Sequence, residues 1–188
     1  MRSDLSHQTN QNMTLEAFAD TIVPGEKRFP DDIAVAGASS GGGAVAAGAL
    51  ELLADPATGI ADDLGAFADL INEHARAYAA EHGLTPDPEL PPLVGLSFAD
   101  RTALIRHLTS PTHPEREIWI LVALFSNMAF DTGAHLHTVD AMAAGHPGLA
   151  AMGFAQPDAD GLWRFPDYSY GRELAHLHPG TTSSGSPA

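Results

Sequence analysis

Asp131, His135, His137 and Asp140 are the residues whose types and spacing come closest to chemistry. A carboxylate beside an imidazole supplies what acid–base catalysis needs. The imidazole titrates near neutrality, and the carboxylate fixes its tautomer and raises its pKa. Residues three or four apart share a helix face. Asp131 and His135 would then form one pair, and His137 and Asp140 another, pointing roughly 160° apart at about 3.6 residues per turn. One helix cannot aim all four at one metal ion, which usually needs three or four converging ligands. Either pair would have to recruit Glu73, His74 or His107 from elsewhere. The expected role of the quartet is structural or at an interface, with an Asp131–His135 acid–base pair as the alternative and no metal site.

Other motifs fail on context. Gly37-Ala-Ser39-Ser-Gly41-Gly-Gly43 has the letters of a dinucleotide loop and of a nucleophile elbow. Both require a strand of a parallel sheet before the turn, and Ile33 to Ala36 is too short to be one. No tyrosine has a lysine four residues on, as the short-chain dehydrogenases require, and Lys27 is the sole lysine. Glu73-His74 and Glu81-His82 are adjacent rather than Glu-x-x-His, which disfavours a di-iron bundle. His176 and His178 could share a metal only on an extended segment, and are read as surface residues. There is no cysteine.

These residues must be positioned by helices. From Ile118, the run IWILVALFSNMAFDTGAHLHTVD places apolar residues at Ile118, Leu121, Val122, Phe125, Met128 and Ala129, one helix face. Trp119, Ile120, Ala123, Leu124 and Phe130 make the other faces apolar too, which marks a core helix or a subunit contact. Periodicity alone would also allow IWILVALF as a buried strand; length and flanks favour a helix. Thr14 is expected to cap a short first helix ending at Pro24-Gly25. Helices are also expected over AVAAGALELLADP, over IADDLGAFADLINEHARAYAAEHG, and after the capping box Ser97-Phe-Ala-Asp100. Pro114, Glu115 and Glu117 suit the first turn of the central helix, which is expected to continue through Asp140 until Gly145-His-Pro-Gly148 stops it.

The fold class is therefore all-α: one irregular bundle around a central apolar helix, about 115–130, with an aromatic arm. The division is a flexible leader over 1–13, a helical domain over 14–152, the arm over 153–178 and a polar tail over 179–188. The arm's Phe154, Trp163, Phe165, Tyr168 and Tyr170 alternate with Gly, Pro and Asp. Such rings are costly to leave in water.

With 188 residues, 24 acidic against 9 basic and a net charge of −15, the chain reads as one globular domain that nucleic acid and anionic membranes would repel. No run approaches the roughly 18 apolar residues of a membrane helix. The N-terminus lacks the apolar stretch of an export signal.

The opening TLEAFADTIVPGEK, with Thr21-Ile22-Val23-Pro24, resembles the small third subunit of gluconate 2-dehydrogenase. More broadly, LFSNMAFDTGAHLHT, GHPGLAAMGF and DGLWRFPDYSYG resemble small actinobacterial proteins that accompany flavin-dependent oxidoreductases of the glucose-methanol-choline class. The resemblance implies an accessory, non-catalytic subunit of an alcohol- or sugar-oxidising complex. It would carry no cofactor itself, with FAD in a larger partner. Lys27, Arg28, Trp119 and the five arm aromatics would face that partner. Many such subunits bear a twin-arginine leader; this chain has only Arg2, so the complex is expected to be cytoplasmic or exported by the partner's signal. The alternative is a stand-alone helical enzyme using Asp131 and His135.

Overall fold

The computed structural model describes residues 2–154 and Gly180, with side chains from Leu5 onward. Among the described residues there are seven α-helices, two 3-10 turns and no strand. In order they are α1 (Arg2–Ile22), α2 (Ala49–Leu53), the turns Pro56–Thr58 and Ala61–Asp63, α3 (Leu64–Glu81), α4 (Phe98–Leu108), α5 (Arg116–Asp131), α6 (Thr138–Ala143) and α7 (Pro147–Ala151). The fold is all-α. No described helix is long and apolar enough to cross a membrane.

Two long helices organise the bundle. α5 buries Trp119, Val122, Ser126 and Ala129. Of the face expected from the sequence only Val122 and Ala129 are fully buried; Ile118, Leu121, Phe125 and Met128 are half-buried, and the buried face is turned towards Trp119 and Ser126. α1 packs against α2, α3, α4 and α5, so the centre is shared rather than belonging to α5 alone. Phe18 of α1 meets Trp119 of α5 with ring centroids 6.0 Å apart. Ile71, Leu93, Leu104, Leu108 and Val122 close the core around them. A smaller, alanine-rich cluster of Ala19, Ala44, Ala49, Leu52 and Ala129 lets α2 lie close on α1 and α5.

The expected leader over 1–13 is instead the first half of α1, which starts at Arg2 rather than at a Thr14 cap. Residues 5–10 of it are exposed. Gln8 donates to Asn12 at 3.1 Å, and Gln11 reaches across to the Gly65 carbonyl of α3 at 3.3 Å. Thr14 is fully buried; its hydroxyl bonds back to the Asn10 carbonyl at 2.8 Å and accepts from Asn72 of α3 at 3.0 Å. Asn72 also accepts from the Leu93 N–H at 3.0 Å, so one polar chain ties α1, α3 and the 91–96 loop together.

The cap before α4 forms as expected. Ser97 accepts from the Asp100 N–H at 3.2 Å and donates to the Asp100 carboxylate at 2.5 Å. The expected helix over AVAAGALELLADP is shortened to α2, because Gly48 takes φ 88°, outside the helical region.

The central helix does not continue to Asp140. Thr132 closes α5, and Gly133, at φ 57°, turns the chain out of it. Left-handed glycine one residue past the last cap is a common helix stop. The later stop also moves. Gly145, at φ 74°, ends the turn after α6, and Pro147 opens α7 instead of blocking it, with its fixed φ suited to a first helical position. Residues 2–154 form one compact unit. The arm and tail, apart from Gly153, Phe154 and Gly180, lie outside the described residues.

Candidate functional site

The break at Gly133 separates the quartet. Asp131 ends α5 and accepts from Asn127 at 2.7 Å through Oδ2. Its Oδ1 is buried and has no hydrogen-bond partner. His135 lies in the loop beyond the break, and no hydrogen bond or ion pair joins it to Asp131; its Nδ1 is likewise buried and unpaired. The expected pair assumed continuous helix, and the glycine removes that assumption. His137 and Asp140 do come together, Nδ1 to Oδ2 at 3.8 Å, but their side chains are 74% and 87% exposed. Such a pair is worth little in water.

His135 instead belongs to the α2 region. A Cβ on Gly48 would collide with its Nε2. Burial lowers the His135 pKa, while Glu51 and Asp55 oppose it. His146, which the sequence did not single out, is the better-determined histidine. Its Nδ1 accepts from the Leu149 N–H at 3.2 Å, capping α7. Its Nε2 therefore carries the proton and donates to the Ala47 carbonyl at 3.1 Å. The buried ring is neutral and structural, pinning α7 to the turn before α2.

The expected partner-facing residues divide as well. Trp119 is 1% exposed and is core, with its indole N–H donating to Glu115 at 3.1 Å. Arg28 is spent within the chain. It grips Glu16 with two bonds, 2.6 and 2.9 Å, and Asp32 with its Nε at 2.7 Å and Nη2 at 3.1 Å. Those hydrogen bonds raise the Arg28 pKa. Burial pushes Asp32 up, but the Arg28 bonds and the Val35 N–H more than offset that, so its pKa is lowered. Lys27 is exposed, its stem lying over Gly37. Phe154 is 47% exposed. Trp163, Phe165, Tyr168 and Tyr170 lie outside the described residues.

The Gly37–Gly43 stretch is no nucleotide cradle. It folds back on the end of α1 through Glu26 N–H to the Gly41 carbonyl at 2.7 Å and Ala44 N–H to the Val23 carbonyl at 2.9 Å. Asp20 holds the same loop by accepting from the N–H groups of Gly25 and Ala36. Burial raises the Asp20 pKa against those bonds.

Two polar centres escaped the sequence reading. Arg101, 3% exposed, sends five hydrogen bonds to the carbonyls of Ile33, Ala34, Leu93, Val94 and Leu96, at 2.6 to 3.3 Å. It is a clamp between two loops some 60 residues apart in the chain. Burial lowers its pKa, and Asp20 opposes that.

The second centre is the corner where α3 meets the turn before α5. His74 Nε2 lies 2.7 Å from Glu115 Oε2, and that same oxygen takes the Trp119 N–H. The Glu115 N–H donates to His113 Nδ1 at 3.2 Å. His113 stands edge-on to His74, centroids 5.6 Å apart, and to His107 of α4 at 5.3 Å. One donor atom from each of His74, His113 and Glu115 lies within 4.8 Å of the others. The bond from His74 comes first among the causes that lower the Glu115 pKa. Glu115, expected in the first turn of α5, is its N-cap residue. His74 and His107 had been noted in sequence as ligands to borrow for Asp131; the structure joins them to His113 and Glu115 instead.

A search of curated proteins and one of solved structures each return no match. A family profile, however, covers residues 9–188, nearly the whole chain. The chain therefore belongs to a family of unknown function, DUF5987.

Proposed function

We propose that this chain is a non-catalytic accessory subunit that covers apolar surface on a larger flavin-dependent oxidoreductase of the alcohol- or sugar-oxidising kind. The observation that carries the binding role is the outer face of α5. Ile120 and Leu124, four residues apart, are 39% and 50% exposed on the side away from buried Val122. A long helix that buries one apolar face and leaves another apolar face in water is a contact surface. The kind of partner comes from the resemblance of TLEAFADTIVPGEK and of the later segments to subunits of flavoprotein complexes, with FAD in the partner. An enzyme reading needs Asp131 and His135 together, and they are not hydrogen-bonded.

The test is to purify the full-length chain from its native host by a tag and to record mass and flavin absorbance of what it carries. The expected result is a complex of fixed stoichiometry containing FAD. The double change Ile120→Asp, Leu124→Asp should release the flavoprotein without loss of helical circular dichroism. A full-length chain that is monodisperse and partnerless in its native extract removes the proposal.

A further inference from the structure

The geometry points to a zinc-class divalent metal site at the corner formed by His74 of α3 and by His113 and Glu115 of the turn leading into α5. The inference does not rest on the subunit reading. Two imidazoles and one carboxylate are a donor set suited to Zn²⁺, and three protein ligands with a remaining open position is a common arrangement for it. The three residues reach the corner from two separate elements, so their convergence is tertiary rather than an accident of adjacent sequence.

The distances are those of a site that closes on its ion. Tetrahedral ligands at bonds of about 2.1 Å stand roughly 3.4 Å from one another. His74 Nε2 and Glu115 Oε2, at 2.7 Å, need to separate by less than an ångström. The widest pair, within 4.8 Å, needs to close by little more than one. All three residues are half-buried, which leaves their side chains room for that adjustment. The ion takes the place of the proton now shared between His74 and Glu115, and a neutral His74 then carries its one ring proton on Nδ1. His113 ligates at the expense of the hydrogen bond from the Glu115 N–H, whichever of its nitrogens is used. The Trp119 N–H on Glu115 Oε2 is the outer-shell bond that orients a carboxylate ligand. His107 lies edge-on to His113, ring centroids 5.3 Å apart.

The probe is ZnCl₂, titrated into the full-length, metal-stripped chain by calorimetry and by competition with a chromophoric chelator. One equivalent should bind at micromolar concentration and raise the melting temperature, because the assembled site exists only in the folded chain. In the unmodified chain, zinc should shift the ring resonances of His74 and His113 and leave those of His135 and His146 in place. His113→Ala, on a surface turn, should weaken binding roughly 100-fold, at least the upper end of what loss of an outer-shell partner costs. His74→Ala should do the same, with helical circular dichroism recorded for both. The double change His176→Ala, His178→Ala should leave affinity unchanged. Absence of binding, zinc shifts on other histidines, or an affinity that survives His113→Ala and falls with the tail histidines would overturn the assignment.

Discussion

Residues 131–140 and the corner around His74 are built from the same side chains, carboxylates and imidazoles, and end up as opposites. In the first region the groups are neighbours in sequence and scatter in space. Asp131 stays on α5, His135 turns in towards α2, and His137 and Asp140 face water. In the second, His74 and Glu115 are 41 residues apart and share a 2.7 Å contact. Spacing along a chain predicts convergence only while the helix that carries it is unbroken. Once Gly133 interrupts it, the i, i+4 rule no longer applies to Asp131 and His135.

The sharpest test of what long-range convergence is worth is Arg101, the extreme case of it. Arg101→Met keeps most of the apolar stem and removes the guanidinium. It takes that donor from five carbonyls in two loops, of which the Leu93 carbonyl keeps the Leu96 N–H. Unpaired buried polar groups cost about 1–3 kcal/mol each, and some will find water, so a loss of at least about 3 kcal/mol is expected in urea unfolding. A loss below 1 kcal/mol would show that the clamp is incidental.

Gly48→Ala should come next. Alanine must adopt φ near 88°, which costs about 1–2 kcal/mol for an L residue, and its methyl collides with the His135 ring. The two costs can be separated by adding His135→Ala, which removes the collision and leaves the strain. If Gly48→Ala is equally harmful with and without the His135 ring, that ring does not pack where the structure has it.

These cases show what was legible in sequence and what was not. Helices α3, α4 and α5 were legible because their apolar periodicity and the Ser97 cap are local signals. The first half of α1 was not. A polar segment reads as flexible unless something reveals that Gln11 and Thr14 dock on α3. The Gly133 stop escaped the sequence reading, which expects the helix to run through Asp140, although a glycine after Thr132 can take the left-handed conformation that ends a helix. Arg101 and the His74 corner gave no local signal, since their partners are loop carbonyls and a turn that only the packed helices bring near.

A smaller effect distinguishes the two regions by pH. His135 has its pKa lowered by burial, so the folded chain binds its proton less readily than the unfolded chain does. Its contribution is unfavourable as pH falls through the unfolded value, about 6.5, and absent above it. Glu115 is also lowered, through His74 first, so its contribution is complete above the ordinary glutamate range and is lost as pH falls through its folded value. His135→Gln should flatten the stability profile as pH falls through about 6.5, whereas Glu115→Gln should flatten it at more acid pH. Identical profiles for the two variants would break the distinction between a buried histidine without a charged grip and a carboxylate held by one.

The smallest effect belongs to His137 and Asp140. Their contact, at 3.8 Å between side chains mostly in water, is a surface contact with both partners free to let go. Holding two such side chains together loses nearly as much in entropy and hydration as the attraction returns. His137→Ala should therefore leave the stability of the isolated chain within about 0.5 kcal/mol of the unmodified protein. The same variant has a second reading in the assembled complex. If the exposed apolar face of α5 is covered by a flavoprotein and the cover extends past Thr132, His137 passes from water into a contact, and its removal costs affinity while the isolated chain is unaffected. If the cover stops at α5, both measurements stay flat. Chemical denaturation of the chain alone and the dissociation constant of the complex, taken on one variant, thus locate the edge of the interface relative to the Gly133 break. A loss of more than 1 kcal/mol in the isolated chain would mean that the 131–140 segment is not the solvated counterpart of the His74 corner at all.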